Sequence, residues 1–270
     1  MTRGVATLSA ALDGVSVLGP GLEGWPQARA VLGGALAYQR VATVIPPPTT
    51  LPPAERRRAS RVISLALANG YEATSGSGVD LATLTTVFAS SGADSNNCHE
   101  ILVTLASADR QLSPTRFHNS VHNVTAGYWS IAARDTAPYT VVCAYDGSFA
   151  AGLLEALAQV ATGDRDVLLV AYDVDYPPPL RQKRPIDDAF GLGLLLRPRR
   201  GAHSLALLSA QLGKLPADRM PDPALEALRA GIPAARALPL LERLAGNRAG
   251  TAVLDYQDTH TLAVTVTPCG

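Results

Sequence analysis

Charge is scarce and cancels. Only 17% of the 270 residues are charged, and 23 Lys and Arg face 23 Asp and Glu. A chain without net charge has no global positive field to capture nucleic acid or an anionic membrane. It also has little charge repulsion against self-association, so a standing partner suits it. Cysteine is sparse as well. Cys98, Cys143 and Cys269 are odd in number and fit neither a zinc spacing nor a disulfide framework, which points to a reducing cytoplasm. No apolar run approaches the roughly 18 residues of a membrane span. The start, MTRGVATLSAALDG, carries Arg3 and mild apolarity, and Asp13 interrupts it before any long apolar stretch, so no signal peptide is expected. Apolar side chains are plentiful: 47% of the residues are hydrophobic, the opposite of a disordered composition. The length allows one large domain or two small ones with a sizeable core.

Periodicity predicts an α/β protein. Residues 15–18 read as a short strand and 25–40 as a helix. VIPPPTTLPP (44–53) is a stiff loop, because proline lacks the N–H that helix and central strand need. A helix over 54–73 puts Val62, Leu65 and Ala66 on one face and Arg56, Arg57 and Arg58 on a solvated turn. SGSG (75–78) is a loop without a nucleotide-binding fingerprint. Residues 81–91 suit a buried strand and 99–106 a helix. YTVVCAY (139–145), the helix 149–163 and the apolar strand 164–176 form a right-handed βαβ unit of a parallel sheet buried on both faces. Strands at 190–196 and 203–210, a broken helix over 221–245, and a hairpin of 251–256 and 261–267 about QDTH complete the pattern.

Three constellations could carry chemistry. Asp146 stands where a strand meets a helix N-terminus, which suits either a helix cap or a catalytic carboxylate. His118 and His122 are four apart and could share a helix face as metal ligands do, but no third ligand accompanies them. Ser148 with one of these histidines and Asp173 could form a hydrolase triad, although GxSxG is absent.

A family resemblance runs through the same region. Ser113-Pro114, Asn123, Ala126-Gly127, Ser130-Ile131 and Pro138 keep, without a gap, the register of the segment ahead of the nucleophilic Cys in β-ketoacyl synthases of the thiolase fold. Gly163, Asp166-Val167, Arg184-Pro185-Ile186-Asp187 and the run 191–196 continue it. The resemblance spans roughly residues 5–200. The wording FHNSVHN, CAYDGSFAAGLLEA and LLVAYD is similar to short chain-length-factor-like subunits of aryl polyene and xanthomonadin-type pathways. It implies a thiolase-like fold: an N-terminal half (1–200) and a reduced C-terminal part (201–270) completing the same sheet.

The departures bear on activity. In this register the nucleophile position holds Asp146, not the nearby Cys143. The family's two catalytic histidines are missing, because His203 and His260 lack their flanks. Decarboxylating variants place Gln at the Cys position, and Gln donates hydrogen bonds that an ionised Asp cannot. The resemblance thus implies a catalytically silent chain, with no metal and no cofactor, that pairs with an active β-ketoacyl synthase and meets an acyl carrier protein transiently. It places Thr140, Val141, Val142, Cys143, Ala144 and Tyr145 on the strand that pairs across the dimer axis. It places Arg116, Phe117 and His118 at the floor of the partner's acyl tunnel. Two rival readings stand beside it: an acyl-thioester hydrolase or decarboxylase using Asp146 with His118 or His122, and a homodimer that binds acyl carrier protein.

Overall fold

In a computed structural model that describes residues 7–269, the first strand is longer than its apolar run. Strand β1 covers Leu8–Gly19, because Asp13 sits in a bulge between Leu12 and Gly14 and so breaks the apolar pattern without breaking the strand. Arg3 and the first residues of the family resemblance lie outside the described residues. A short β2 (Leu22–Glu23) pairs back on β1. Helix α1 (Trp25–Leu32) ends eight residues earlier than periodicity suggests, at Gly33-Gly34, and no helix follows before the proline loop. The helix expected over 54–73 divides into α2 (Pro53–Arg56) and α3 (Arg61–Thr74). Val62, Leu65 and Ala66 are buried on α3 as expected.

Strand β3 is confined to Thr85–Ala89. Helix α4 (Ser95–Ala106) begins four residues early, because the Asp94 side chain caps it by accepting from Asn97 N at 2.9 Å. Then come α5 (Pro114–His118), α6 (Val124–Ala133), β4 (Tyr139–Val142), α7 (Ser148–Gly163) and β5 (Val167–Asp173). After α8 (Leu180–Lys183) lie β6 (Phe190–Arg197) and β7 (Ala206–Gly213). The broken helix is α9 (Pro223–Gly231), a 3-10 segment (Pro233–Ala237) and α10 (Leu238–Ala245). The hairpin is β8 (Gly250–Gln257) and β9 (His260–Pro268).

These strands form one mixed sheet in the order β4-β3-β5-β6-β1-β7-β9-β8. Only β3 with β4 and β3 with β5 are parallel; all other pairs are antiparallel. The expected βαβ unit therefore exists, but β3 lies between its two strands, and the parallel sheet is limited to three strands. Burial on both faces holds for β3, β5 and nearly all of β6. It fails for β7, which alternates, and for β4, where no residue is buried. The reason for β4 is its place: it is an edge strand with β3 on one side only.

Two cores flank the sheet. On one face Phe88, Leu168, Val170, Tyr172 and Leu195 pack with α3 and with Tyr128 and Trp129 of α6. On the other, Val87, Leu169, Ala171, Leu192 and Leu194 pack on Phe149, Leu153, Leu157 and Val160 of α7. The same core takes in Leu228 of α9, Leu241 of α10, Leu254 of β8 and Val264 of β9. Helix α7 touches β1, β3 and β5 and also β8, so the sheet curls around it. The curl brings the β8–β9 hairpin to the N-terminus of α7, beside Asp146.

Candidate functional site at the start of helix α7

The chain leaves β4 at Val142 and turns sharply. Ala144 has φ −139° and ψ 41°, Tyr145 has φ +52°, and residues Tyr145–Gly147 make one 3-10 turn. Ser148 closes it: its Oγ donates to Tyr145 O at 2.7 Å and accepts from Ala144 N at 3.0 Å. A Cβ on Gly147 would lie 1.8 Å from the Tyr256 carbonyl oxygen, so the close seat of the β8–β9 hairpin on this turn requires glycine. The pairing strand expected over 140–145 thus ends at Val142; Cys143, Ala144 and Tyr145 lie beyond it.

Asp146 does not cap α7, whose cap position is Gly147. Its carboxylate is held by two guanidiniums instead. Arg184 Nη2 donates to Oδ1 at 2.8 Å and Arg236 Nη2 donates to Oδ2 at 2.9 Å. The Arg184 guanidinium also lies 3.8 Å from the centre of the Tyr145 ring. Asp146 raises the Arg184 pKa, against the burial that would lower it. The pairing continues outward: Arg236 faces Asp255 at 3.4 Å, Arg229 Nη1 reaches Asp255 at 2.6 Å, and Arg229 forks onto Glu226 with two bonds of 2.8 Å. Hydrogen bonding from Arg229 pulls Glu226 down to about 2. Three acids and three arginines alternate, so the row is neutral.

This row borders an open cleft of about 720 Å³ whose walls include Tyr145, Asp146, Arg236, Asp255 and Tyr256. No histidine or cysteine lines it. His118 is exposed at the end of α5, and His122 lies in the turn before α6, so the two share no helix face. Burial lowers the pKa of His122, against a raising contribution from the Ser90 backbone. Among the described residues no three metal-ligating side chains gather. The hydrolase triad does not assemble either. Ser148 Oγ is committed to its own turn, and Asp173 accepts from Ser91 N at 2.9 Å, Ser91 Oγ at 2.6 Å and Ala234 N at 2.9 Å. Cys143 is exposed, with Sγ 3.5 Å from Ser91 O. His203 lines a different pocket, and His260 Nδ1 is bound to Thr259 Oγ1 on the hairpin turn.

The other singled-out residues lie at the surface. Arg116 pairs loosely with Glu100 at 3.4 Å. Phe117 is 67% exposed and Tyr145 64%. The outer side of β4, with Thr140, Val141 and Val142, has no strand paired to it among the described residues. Sequence reasoning placed Arg184 within its tetrapeptide but missed its tie to Asp146, and missed Arg236, Asp255, Arg229 and Glu226 altogether. Only the i,i+3 pair Glu226 and Arg229 had a local signal.

Comparison with known proteins agrees with this geometry. Residues 27–243 match the family described as β-ketoacyl synthase, N-terminal domain. A chain of the ketosynthase ApeO in complex with its chain length factor ApeC, from Xenorhabdus doucetiae, has a TM-score of 0.71 at 24% identity, covering 96% of this chain and 99% of that one. A chain of the ishigamide ketosynthase/chain length factor gives 0.71 at 14% identity, over 97% of this chain and 100% of that one. A chain of AntDE:AntF, a type II PKS acyl-carrier protein in complex with its ketosynthase, gives 0.74 at 11% identity with the same coverage. No curated protein matches. At these identities the structural likeness is one of fold, and it agrees with the expected thiolase-like α/β class.

Proposed function

Since the chain belongs to the β-ketoacyl synthase family, matching its N-terminal domain, we propose that it is a non-catalytic, chain-length-factor-like partner of an active β-ketoacyl synthase. The observation that carries this reading is the double tie of Asp146 by Arg184 and Arg236, at the position where the family register puts the nucleophile. Condensation needs a thiolate to hold the acyl chain as a thioester. A carboxylate cannot form one, and the cleft brings no histidine to assist decarboxylation.

What remains is an architecture suited to pairing. The free edge of β4 offers unpaired backbone groups to a second strand. Tyr145, three residues past the end of β4, offers exposed aromatic surface near that edge, and Phe117 offers a second exposed ring on α5. In this reading the partner synthase supplies the chemistry, and this chain stabilises it and shapes its acyl tunnel with Arg116, Phe117 and His118. An acyl carrier protein meets the pair transiently. The kinship with complexes described as ketosynthase with chain length factor favours a type II polyketide setting of the aryl polyene kind.

The test is co-expression with an active β-ketoacyl synthase of an aryl polyene system, followed by size exclusion and a condensation assay. A 1:1 complex that condenses, with neither subunit active alone, supports the reading. A homodimer that ignores the synthase and binds the carrier supports the carrier-binding alternative. Thioester hydrolysis by the chain alone would overturn catalytic silence.

A further inference from the structure

A second pocket, of about 280 Å³, lies where α1, α10 and the loop before β7 meet the end of β9. Val266 and Pro268 line it, whereas Thr261, at the other end of β9, lines the Asp146 cleft. Five to seven residues of strand at about 3.4 Å each separate the two by roughly 20 Å. The pocket is therefore a site of its own, and nothing about it depends on the partner reading.

Its lining carries cations without acids. Arg29, from the last turn of α1, and Arg243, from the last turn of α10, both face it, with His203, Asn247 and the indole of Trp25. Among the described residues neither arginine has a carboxylate within 4 Å or a side-chain hydrogen bond. Asp13, which lines the neighbouring pocket with His203, is already held by Ser204 Oγ at 2.6 Å and by Arg197 at 2.9 Å. The contrast with the other clefts is sharp: Asp146 and Asp255 neutralise Arg236, and Glu100 neutralises Arg116. Arg243 passes close to Gly250, where a Cβ would stand 2.9 Å from Nη1. An arginine at a helix C-terminus complements the helix dipole. That accounts for each charge singly, but not for two unpaired guanidiniums facing one acid-free cavity with an aromatic wall.

The geometry points to a binding site for a small phosphate monoester with a compact apolar or aromatic body. Two unpaired guanidiniums match a dianion, and a phosphate monoester carries about −1.5 to −2 charges at neutral pH. Guanidinium and phosphate pair through parallel N–H···O bonds. Trp25 and Leu244 give the body an apolar face.

Calorimetric titration of the full chain with phenyl phosphate, and with benzoate as a monoanion on the same ring, tests this. The expected result is saturable binding of phenyl phosphate at least about tenfold tighter than benzoate, equivalent to about 1.4 kcal/mol. Arg29→Gln and Arg243→Gln each weaken phenyl phosphate by a similar factor, and Arg248→Gln, exposed and outside the pocket, leaves it unchanged. Circular dichroism melts confirm that the variants fold, and the comparison of two ligands on the unaltered chain stands without them. No saturable binding of phenyl phosphate, equal affinity for benzoate, or equal loss in Arg248→Gln overturns the proposal.

Discussion

Asp146 and Arg236 are 90 residues apart in sequence and 2.9 Å apart in space. With Arg184 on the other oxygen, Asp146 ties the turn before α7 to the 3-10 segment after α9 and to the end of α8.

Asp146→Cys is expected to leave condensation absent, because the cleft still has no histidine and two guanidiniums would then face a thiol. The assay is product formation from acyl and malonyl carrier-protein substrates by the purified chain. Asp146→Asn leaves Arg184 without its counter-charge and Arg236 with only the longer contact to Asp255. The expected loss is roughly 1–2 kcal/mol, smaller than for a fully buried pair because Asp146 is 36% exposed. Urea unfolding measures it.

Val142→Glu is expected to abolish co-elution with the synthase. The side chain is part-buried at the end of β4, and an unpaired charge there costs several kcal/mol once a second strand covers it. Circular dichroism of the chain alone separates lost pairing from lost folding. A folded variant that still co-elutes places the interface elsewhere.

Phe117→Ala is expected to shift products towards longer chains while turnover changes less. The ring is 67% exposed and outside both cores, so the chain's own stability should change by no more than about 0.5 kcal/mol. Mass spectrometry of carrier-bound products from the reconstituted pair gives the length distribution. An unchanged distribution in an intact complex removes Phe117 from the tunnel.

Asp173 gives a pH signature. Burial raises its pKa to about 6, although hydrogen bonds from Ser91 and Ala234 oppose the rise. The native state therefore holds the proton more tightly than the unfolded chain. Stability from this group is fully present below about pH 4, falls as pH rises through about 6, and is level above that. Glu226 has the opposite sign: its contribution is present above about pH 4.5 and is lost only as pH falls towards 2. Between about pH 4 and 6 Asp173 therefore contributes a fall in stability with rising pH. Urea midpoints for the chain and for Asp173→Asn measure it, and the difference between the two should narrow as pH rises from about 4 to about 6.

Much of the fold was legible because its signals are local. The apolar run of β5, the 3.6-residue spacing of α7, the prolines that break residues 221–245 and the hairpin about QDTH each declare themselves within a few residues. The position of β3 between β4 and β5 has no such signal, since strand order is set by packing on α3 and α7 across the sheet. The charge row was hidden for the same reason: Arg184 is 38 residues from Asp146, and Arg236 reaches it only because the sheet curls. Asp146 stood out locally, as an acid where a strand meets a helix, but its role as a tie did not.

The placement of β1 has a consequence for synthesis. Ser9 bonds Ser209 across the sheet, 200 residues later in the chain. Its neighbours β6 and β7 leave the ribosome long after it, at about 5–20 residues per second, so β1 waits for tens of seconds with both edges open. Helix α7 stays without its last cover until β8 arrives. Nascent chains of this topology are exposed to mispairing for that whole interval, and yield in a host should depend on chaperone capacity more steeply than its native stability alone suggests.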